Sequence, residues 1–357
     1  MKTIFVFYGG PSVEHNVSVN SAKAVLNALN RDKYHVQPVY ITEEGVWLRL
    51  PEAKEAFENV EQMKRETDGQ SIAQSLAAFL TSHDFSDGKT VFFSVLHGTY
   101  GEDGGIQGFF ETVDVPYVGS GVTASAVCMD KARSNEIMEQ NGIPQAKFVV
   151  LTRHQLDTQG LDADGIVEKL GLPLYAKPAN CGSSVGVVRV TEKEQLLEAV
   201  EEALQYDHKI VLEEEIWGRE LNVSVIGNES PQGSIPGDFA METGYFDYEL
   251  KYKNPDIVPI IPAKIPEDRF CDLANLAART YEVLGCGGTA RVDIFYTEEG
   301  ELKVNEINTM PGMSDLSMTP VLWKATDGTE YTELLDKLID WGIDAHAKKK
   351  ALVRTFE

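Results

Sequence analysis

The sequence is poor in positive charge. Its 357 residues include 32 lysines and arginines against 56 aspartates and glutamates, for a formal net charge of −24. Nucleic acid needs a basic surface, so it is excluded as a partner. Any anion site must be built locally from lysine, arginine, backbone N–H groups or metal. The four cysteines, Cys128, Cys181, Cys271 and Cys286, show no CxxC spacing. They are expected to be reduced, buried thiols of a cytoplasmic protein. There is no run of 18 apolar residues, which excludes a spanning helix and leaves no membrane partner to expect. The short apolar run 4–8 reads as a first strand rather than a secretory leader, because GGPSVEHN follows at once. No HExxH motif and no Cys/His cluster occurs, which argues against zinc. Internal repeats and low-complexity linkers are absent too.

What is present is the composition of an ordinary globular protein, 43% hydrophobic and 25% charged, in a chain long enough for two or three domains. A strand over 4–8, a helix over 18–29 and a strand over 35–41 form a βαβ start, and with it a parallel sheet. Residues 52–89 are polar and helix-prone. Strands over 90–96 and 115–118 flank a helix over 105–112. A helix stopped by Gly142 and Pro144 leads to a second unit: strand 147–151, helix 164–170, strand LYAKP, a glycine-rich loop, helix 192–205 and strand 210–213. A final helix over 332–341 presents Leu334, Leu335, Leu338 and Ile339.

The third unit carries the most informative stretch, RVDIFYTEEGELKVNEINTMPG over 291–312. Two arms alternating apolar and polar residues around TEEGE read as a hairpin. Arg291 and Asp293 share one face, as do Glu306 and Asn308, while Val292, Ile294, Val304 and Ile307 mark the core side. The polar face is either a set of exposed cross-strand ion pairs or a patch of hard oxygen donors suited to Mg²⁺.

Four other stretches also have two readings. The loop NCGSSVGVV, after the strand bearing Lys177, is a surface turn or a ring of N–H and hydroxyl groups for phosphate. The acids of VLEEEIWGRE are solvated, or they accept from an adenine amino group and a ribose hydroxyl. YFDYELKYK is a packed hairpin tip or an aromatic lid that excludes water. His97, at the carboxyl end of a strand, is a structural histidine or a ligand contact. The DGKT segment at 87–90 is no P-loop, because the required earlier glycine falls at His83 and the segment precedes its strand.

Taken in order, GGPSVEHNVS, HGTYGEDGGIQG, PYVGSGVTAS, MDK, AKPANCGSSVG, FDYELKY, RVDIF and NEINTMPG closely resemble the D-alanine–D-alanine ligases of the ATP-grasp fold, from about residue 4 to residue 323. The resemblance implies an α/β chain in which an N-terminal open parallel α/β domain (1–121) precedes an ATP-grasp fold. The two parts of that fold are a central subdomain (122–216) and a C-terminal one (217–357). It implies ATP and two Mg²⁺ ions as cofactors, with Mn²⁺ as a substitute, D-alanine as substrate, a homodimer and a role in cell-wall precursor synthesis.

Residue by residue, the resemblance puts Lys131, Lys177, Ser183 and Ser184 at the ATP phosphates, with Lys251 reaching the γ-phosphate. Glu213, Ile216 and Tyr245 fall at adenine and Glu220 at the ribose. Asp293, Glu306 and Asn308 are implied as the metal ligands. Glu14, Val17 and His97 line a first D-alanine subsite, and Glu14, Ser183 and Tyr252 form a chain that closes the lid. Arg291 and the Gly312 N–H make an oxyanion site, and Ser317 with the Met318 N–H takes the second carboxylate. Tyr252 follows Lys251, as in members that make D-Ala-D-Ala; phenylalanine there goes with D-lactate.

The chain departs from the family at two places. Cys181 replaces an apolar loop residue. Asp315 stands near Ser317, in a segment where a small uncharged residue is expected, and if it faced the second subsite it would repel an incoming carboxylate. The rival readings are the same fold using D-lactate or D-serine, another ATP-grasp carboxylate–amine ligase, and a silent nucleotide-binding module.

Overall fold

A computed structural model of the protein describes residues 1–239 and 259–353. Tyr245, Lys251 and Tyr252 lie outside the described residues.

The first unit is built on strands β1 (Lys2–Gly9), β2 (Tyr34–Ile41), β3 (Trp47–Arg49) and β4 (Thr90–Ser94), with helices α1 (His15–Ala28), α2 (Ile72–Thr81) and α3 (Gly105–Val113). Their order in the sheet is β3-β2-β1-β4. The β2-β1-β4 core is parallel, as expected, and β3 adds an antiparallel edge. The apolar run of β1 is central and covered on both faces, which is why Ile4 to Tyr8 are all fully buried. The strand expected at 115–118 is reduced to one parallel bridge, Phe92 with Tyr117. Residues 52–89 supply a 3₁₀ turn, Val60–Met63, and α2, which starts with a Ser71–Gln74 capping box.

Helices α4 (Val122–Met129) and α5 (Lys131–Gln140) lead to the second sheet. This unit contains β5 (Phe148–Thr152), α6 (Arg153–Gln159), α7 (Ala163–Leu170), β6 (Leu174–Pro178), β7 (Val188–Val190), α8 (Leu196–Ala203) and β8 (Lys209–Glu214). Its order is β5-β8-β6-β7, antiparallel throughout. The helix expected at 192–205 begins instead as a 3₁₀ turn, Lys193–Gln195.

The third unit starts with β9 (Gly218–Gly227) and β10 (Gln232–Gly233), followed by the short pair β11 (Asp238–Phe239) and β12 (Pro259–Ile260). Helix α9 (Phe270–Val283), the hairpin β13 (Gly288–Thr297) with β14 (Leu302–Asn308), and helices α10 (Met318–Asp327) and α11 (Tyr331–Lys350) complete it. The antiparallel sheet runs β10-β9-β13-β14. Helix α11 returns to the first unit, where Leu334, Leu335, Leu338 and Ile339 join the core around Tyr8 and Leu26. Among the described residues no helix is long and apolar enough to cross a membrane.

The cysteines divide. Cys128 and Cys286 are buried with sulfurs 3.6 Å apart, but Cys181 is half-buried and Cys271 exposed, so the expectation of four buried thiols is corrected. No disulfide forms among the described residues.

Candidate active site

A cleft of about 1590 Å³ opens where the three units meet, and every sequence-predicted site residue that is described lines it. Its floor is the hairpin. In the β13–β14 register Arg291 faces Asn308 and Asp293 faces Glu306, so the four polar side chains converge as expected. A register shift after Asp293 leaves Asn305 unopposed. This bulge explains why Val304 and Ile307, three residues apart, both reach the core.

Asp293 is buried and heavily bonded. Arg291 donates to it in a fork, Nε to Oδ1 and Nη2 to Oδ2, each at 2.7 Å. Asn222 Nδ2 donates to Oδ1 at 2.6 Å and Asn308 Nδ2 to Oδ2 at 3.2 Å. Glu306 lies 3.7 Å from the Lys131 ammonium. Among the described residues no three His, Cys, Asp or Glu side chains cluster as a ready-made metal cage. Two carboxylates and an amide on one face do fit Mg²⁺, which keeps water and takes its other oxygens from substrate phosphates.

One wall comes from the central unit. Lys177 Nζ contacts Glu213 Oε2 at 2.5 Å, and Asn135 Nδ2 donates to the other oxygen at 2.9 Å. Lys131 Nζ donates to the Cys181 carbonyl at 2.8 Å, tying it to the serine loop. Ile216 lines the rim, and Glu220 accepts from Asn305 Nδ2 at 2.5 Å. In the loop, Ser183 and Ser184 have φ of 52° and 58°, the left-handed region that costs a residue with a Cβ. The Ser183 hydroxyl donates to Glu14. Gly98 gives Glu14 room, since a Cβ there would stand 2.4 Å from its Oε2.

The opposite wall comes from the first unit and the segment before α10. Glu14, Val17 and His97 line it. His97 contacts Ser21 Oγ through Nε2 and the Met310 carbonyl through Nδ1, each at 3.0 Å. Glu102 Oε1 lies 3.6 Å from His97 Nδ1 and accepts from the Gly98 N–H at 3.1 Å. Gly312, Ser317 and Met318 complete the cleft. The Ser317 hydroxyl takes the Ser314 N–H at 3.0 Å. Met318 opens α10, where the first N–H groups have no partner within the helix.

Comparison with known proteins agrees with this geometry. Residues 3–120 match the family model "D-ala D-ala ligase N-terminus" and residues 137–340 match "D-ala D-ala ligase C-terminus". The chain belongs to the D-alanine–D-alanine ligase family. It is 42% identical to the D-alanine–D-alanine ligase of Bacillus pumilus (strain SAFR-032), over 98% of each chain. It is 40% identical to that of Finegoldia magna (strain ATCC 29328 / DSM 20472 / WAL 2508), also over 98% of each. The structure of the Coxiella burnetii D-alanine-D-alanine ligase matches with TM-score 0.79 at 29% identity, covering 98% of this chain and 96% of that one. The VanG D-Ala:D-Ser ligase of Enterococcus faecalis matches with TM-score 0.80 at 32% identity, covering 96% and 99%.

The buried His97–Glu102 pair is shifted in its ionisation. Burial alone would push the imidazole down. The nearby Glu102 carboxyl, the Glu14 charge and the Met310 carbonyl outweigh it, and the net direction is up. Burial pushes the Glu102 carboxyl up, with Glu14 adding to it and His97 opposing.

Sequence reasoning missed several residues of this cleft. Glu102 lay inside the quoted HGTYGEDGG. Ser21 falls on the α1 face that carries Val17. Arg189 and Tyr175 hold Glu215, at 2.6 and 2.9 Å, beside the predicted adenine wall. Asn222, two residues after Glu220 on β9, shares its face, and that spacing was the available signal.

Proposed function

We propose that the protein joins two D-alanines into D-alanyl-D-alanine at the expense of ATP, supplying a peptidoglycan precursor. The observation that supports this most is the convergence, in one cleft between three units, of the serine loop, the paired lysines, the hairpin carboxylates and the Arg291 guanidinium. In this reading the chain divides at residues 121 and 216, the protein is cytoplasmic, and a homodimer is its working form.

The first D-alanine sits beside Glu14, Val17 and His97. Its carboxylate oxygen attacks the γ-phosphorus of ATP, ADP leaves, and an acyl phosphate forms. Adenine lies against Glu213, Ile216 and Tyr245, with Glu220 at the ribose. Lys131, Lys177, Lys251 and Ser184 hold phosphate oxygens, so Lys177 exchanges part of its contact with Glu213 for ATP. Asp293, Glu306 and Asn308 hold two Mg²⁺ ions, which neutralise phosphate charge when bound. The second D-alanine enters with its carboxylate at Ser317 and the Met318 N–H. Its amine attacks the acyl carbon, the C–N bond forms, phosphate leaves and the nitrogen loses a proton. Arg291 and the Gly312 N–H face the oxyanion of the tetrahedral species. Ser183, bonded to Glu14, and Tyr252 close the loop and exclude water from the acyl phosphate.

Likeness to a D-Ala:D-Ser ligase keeps D-serine as a second reading for the nucleophile. Phosphate release measured with a panel of D-amino acids and D-lactate decides. D-alanine alone should support turnover; turnover only with D-serine or D-lactate added would replace the reading, and ATP turnover indifferent to D-amino acids would end it.

A further inference from the structure

Asn222 has no part in that scheme, yet it lies under its most highly charged point. It sits on β9 in register with Asp293, which is in register with Glu306, so the three side chains form one row across β9, β13 and β14. The residue is 5% exposed and lines the cleft. Its Nδ2 donates to Asp293 Oδ1 at 2.6 Å. That bond fixes the amide's orientation, because turning it over would set a carbonyl against a carboxylate. The amide oxygen therefore points away from Asp293, and it is buried without a hydrogen-bond partner among the described residues. Only Asn222 and Thr319 both line the cleft and carry such an atom, among the described residues. A buried acceptor left unsatisfied is costly and calls for a donor from outside the protein.

The bonds on Asp293 show why a second holder is needed. Two of its four hydrogen bonds come from Arg291. When that guanidinium turns to an oxyanion, Asn222 and Asn308 are left to orient the carboxylate. A hard cation that keeps its water brings the donor that Asn222 Oδ1 lacks.

We propose that Asn222 is a positioning residue of the cation site: its N–H aims Asp293 and its carbonyl accepts from water carried by the metal. This rests on the metal reading above. Partners that act on a ligand from behind typically change metal affinity by about 10–100-fold.

The test uses Mn²⁺ as the probe on the full chain with ADP present. Bound metal is read by electron paramagnetic resonance after subtraction of a nucleotide blank, and melting is followed with and without metal. Asn222→Leu should weaken Mn²⁺ binding by about tenfold or more. Asn222→Asp keeps an acceptor but sets a third carboxylate beside Asp293, so its melting temperature should fall in chelator and recover with Mn²⁺. A purely structural role predicts losses that metal does not repair. Unchanged Mn²⁺ affinity in a folded Asn222→Leu protein overturns the proposal. If that variant does not fold, an Asn222→Asp melting loss that Mn²⁺ leaves in place overturns it. Failure of the unaltered protein to bind Mn²⁺ defeats the metal reading itself, which is a different result.

Discussion

Arg291 and Asp293, two residues apart on one strand, are locked together by parallel 2.7 Å hydrogen bonds. The residue proposed for the oxyanion is thus held, before ligands arrive, by a residue proposed for the metal. A cation held at Asp293 would compete for the same oxygens and would free the guanidinium toward the cleft, so under the proposed roles metal loading and the oxyanion site would be coupled.

Arg291→Lys keeps the charge but not the fork. The loss should appear in kcat, on the order of 10²-fold or more for one oxyanion donor. Steady-state kinetics check this, and a change confined to the KM for ATP would remove Arg291 from the second step.

Glu306→Gln preserves shape and removes one negative charge from the hairpin. The side chain is 29% exposed and 3.7 Å from Lys131. A partly exposed pair contributes little to stability, about 0–1 kcal/mol, so melting should barely move. Activity should fall by about 10²-fold or more, as for loss of a group that steadies transition-state charge. Normal turnover with a normal melting curve would sink the metal assignment.

The serine loop offers a separation of backbone from hydroxyl. Ser183 is in the left-handed region and its hydroxyl reaches Glu14. Ser183→Gly relieves the backbone, worth about 1 kcal/mol, whereas Ser183→Ala keeps the cost. Both lose the contact. Turnover should therefore fall in both while the glycine variant melts higher. Full activity in the glycine variant would mean the hydroxyl closes nothing.

How much of this was legible in the sequence depended on how far apart the partners lie. The hairpin floor could be read because its alternation is local, and even its bulge left a trace in the three-residue spacing of Val304 and Ile307. Asn222 is 71 residues from Asp293, and nothing local announces that β9 pairs with β13. The serine loop was recognisable as pliable, but its closure on Glu14 spans 169 positions. In the central unit three of the four strands were legible; the short β7 was hidden at the end of the glycine-rich loop, and the antiparallel order was not legible because alternation reports a buried face and says nothing of the neighbour. Cys128 and Cys286 meet for a similar reason, 158 positions apart without a motif.

The His97–Glu102 pair makes stability depend on pH. Both groups hold a proton more firmly in the folded protein than in the unfolded chain. The His97 contribution is complete below its unfolded value, about 6.5, and is lost as pH rises through the raised folded value. The Glu102 contribution is complete below about 4.3 and likewise lost as pH rises. Glu102→Gln removes the second group and the main support of the first. The melting advantage of the unaltered protein over this variant should therefore shrink steadily from pH 5 to pH 9. An advantage that grows with pH would show that Glu102 is held as a carboxylate.

Asp315 decides whether the chain's acidic departure disturbs the second subsite. Ser314, Leu316 and Ser317 line the cleft, but Asp315 does not, and its side chain is exposed. Its charge acts on the Tyr331 phenol, whose hydroxyl bonds the Met313 carbonyl; burial, and then Asp315, push that phenol upward. The carboxylate is thus exposed, outside the cleft lining, and near enough to the start of α11 for its charge to be felt there. Water and salt screen an exposed charge over roughly 8–10 Å at ordinary ionic strength. Asp315→Ala should therefore leave the KM for the second D-alanine within about twofold of the unaltered protein, where a screened surface charge contributes at most about 1 kcal/mol. That KM should also respond equally to added salt in the two proteins. A KM that falls severalfold, and more at low salt than at high, would place the carboxylate against the substrate and make it a determinant of which second substrate the enzyme accepts.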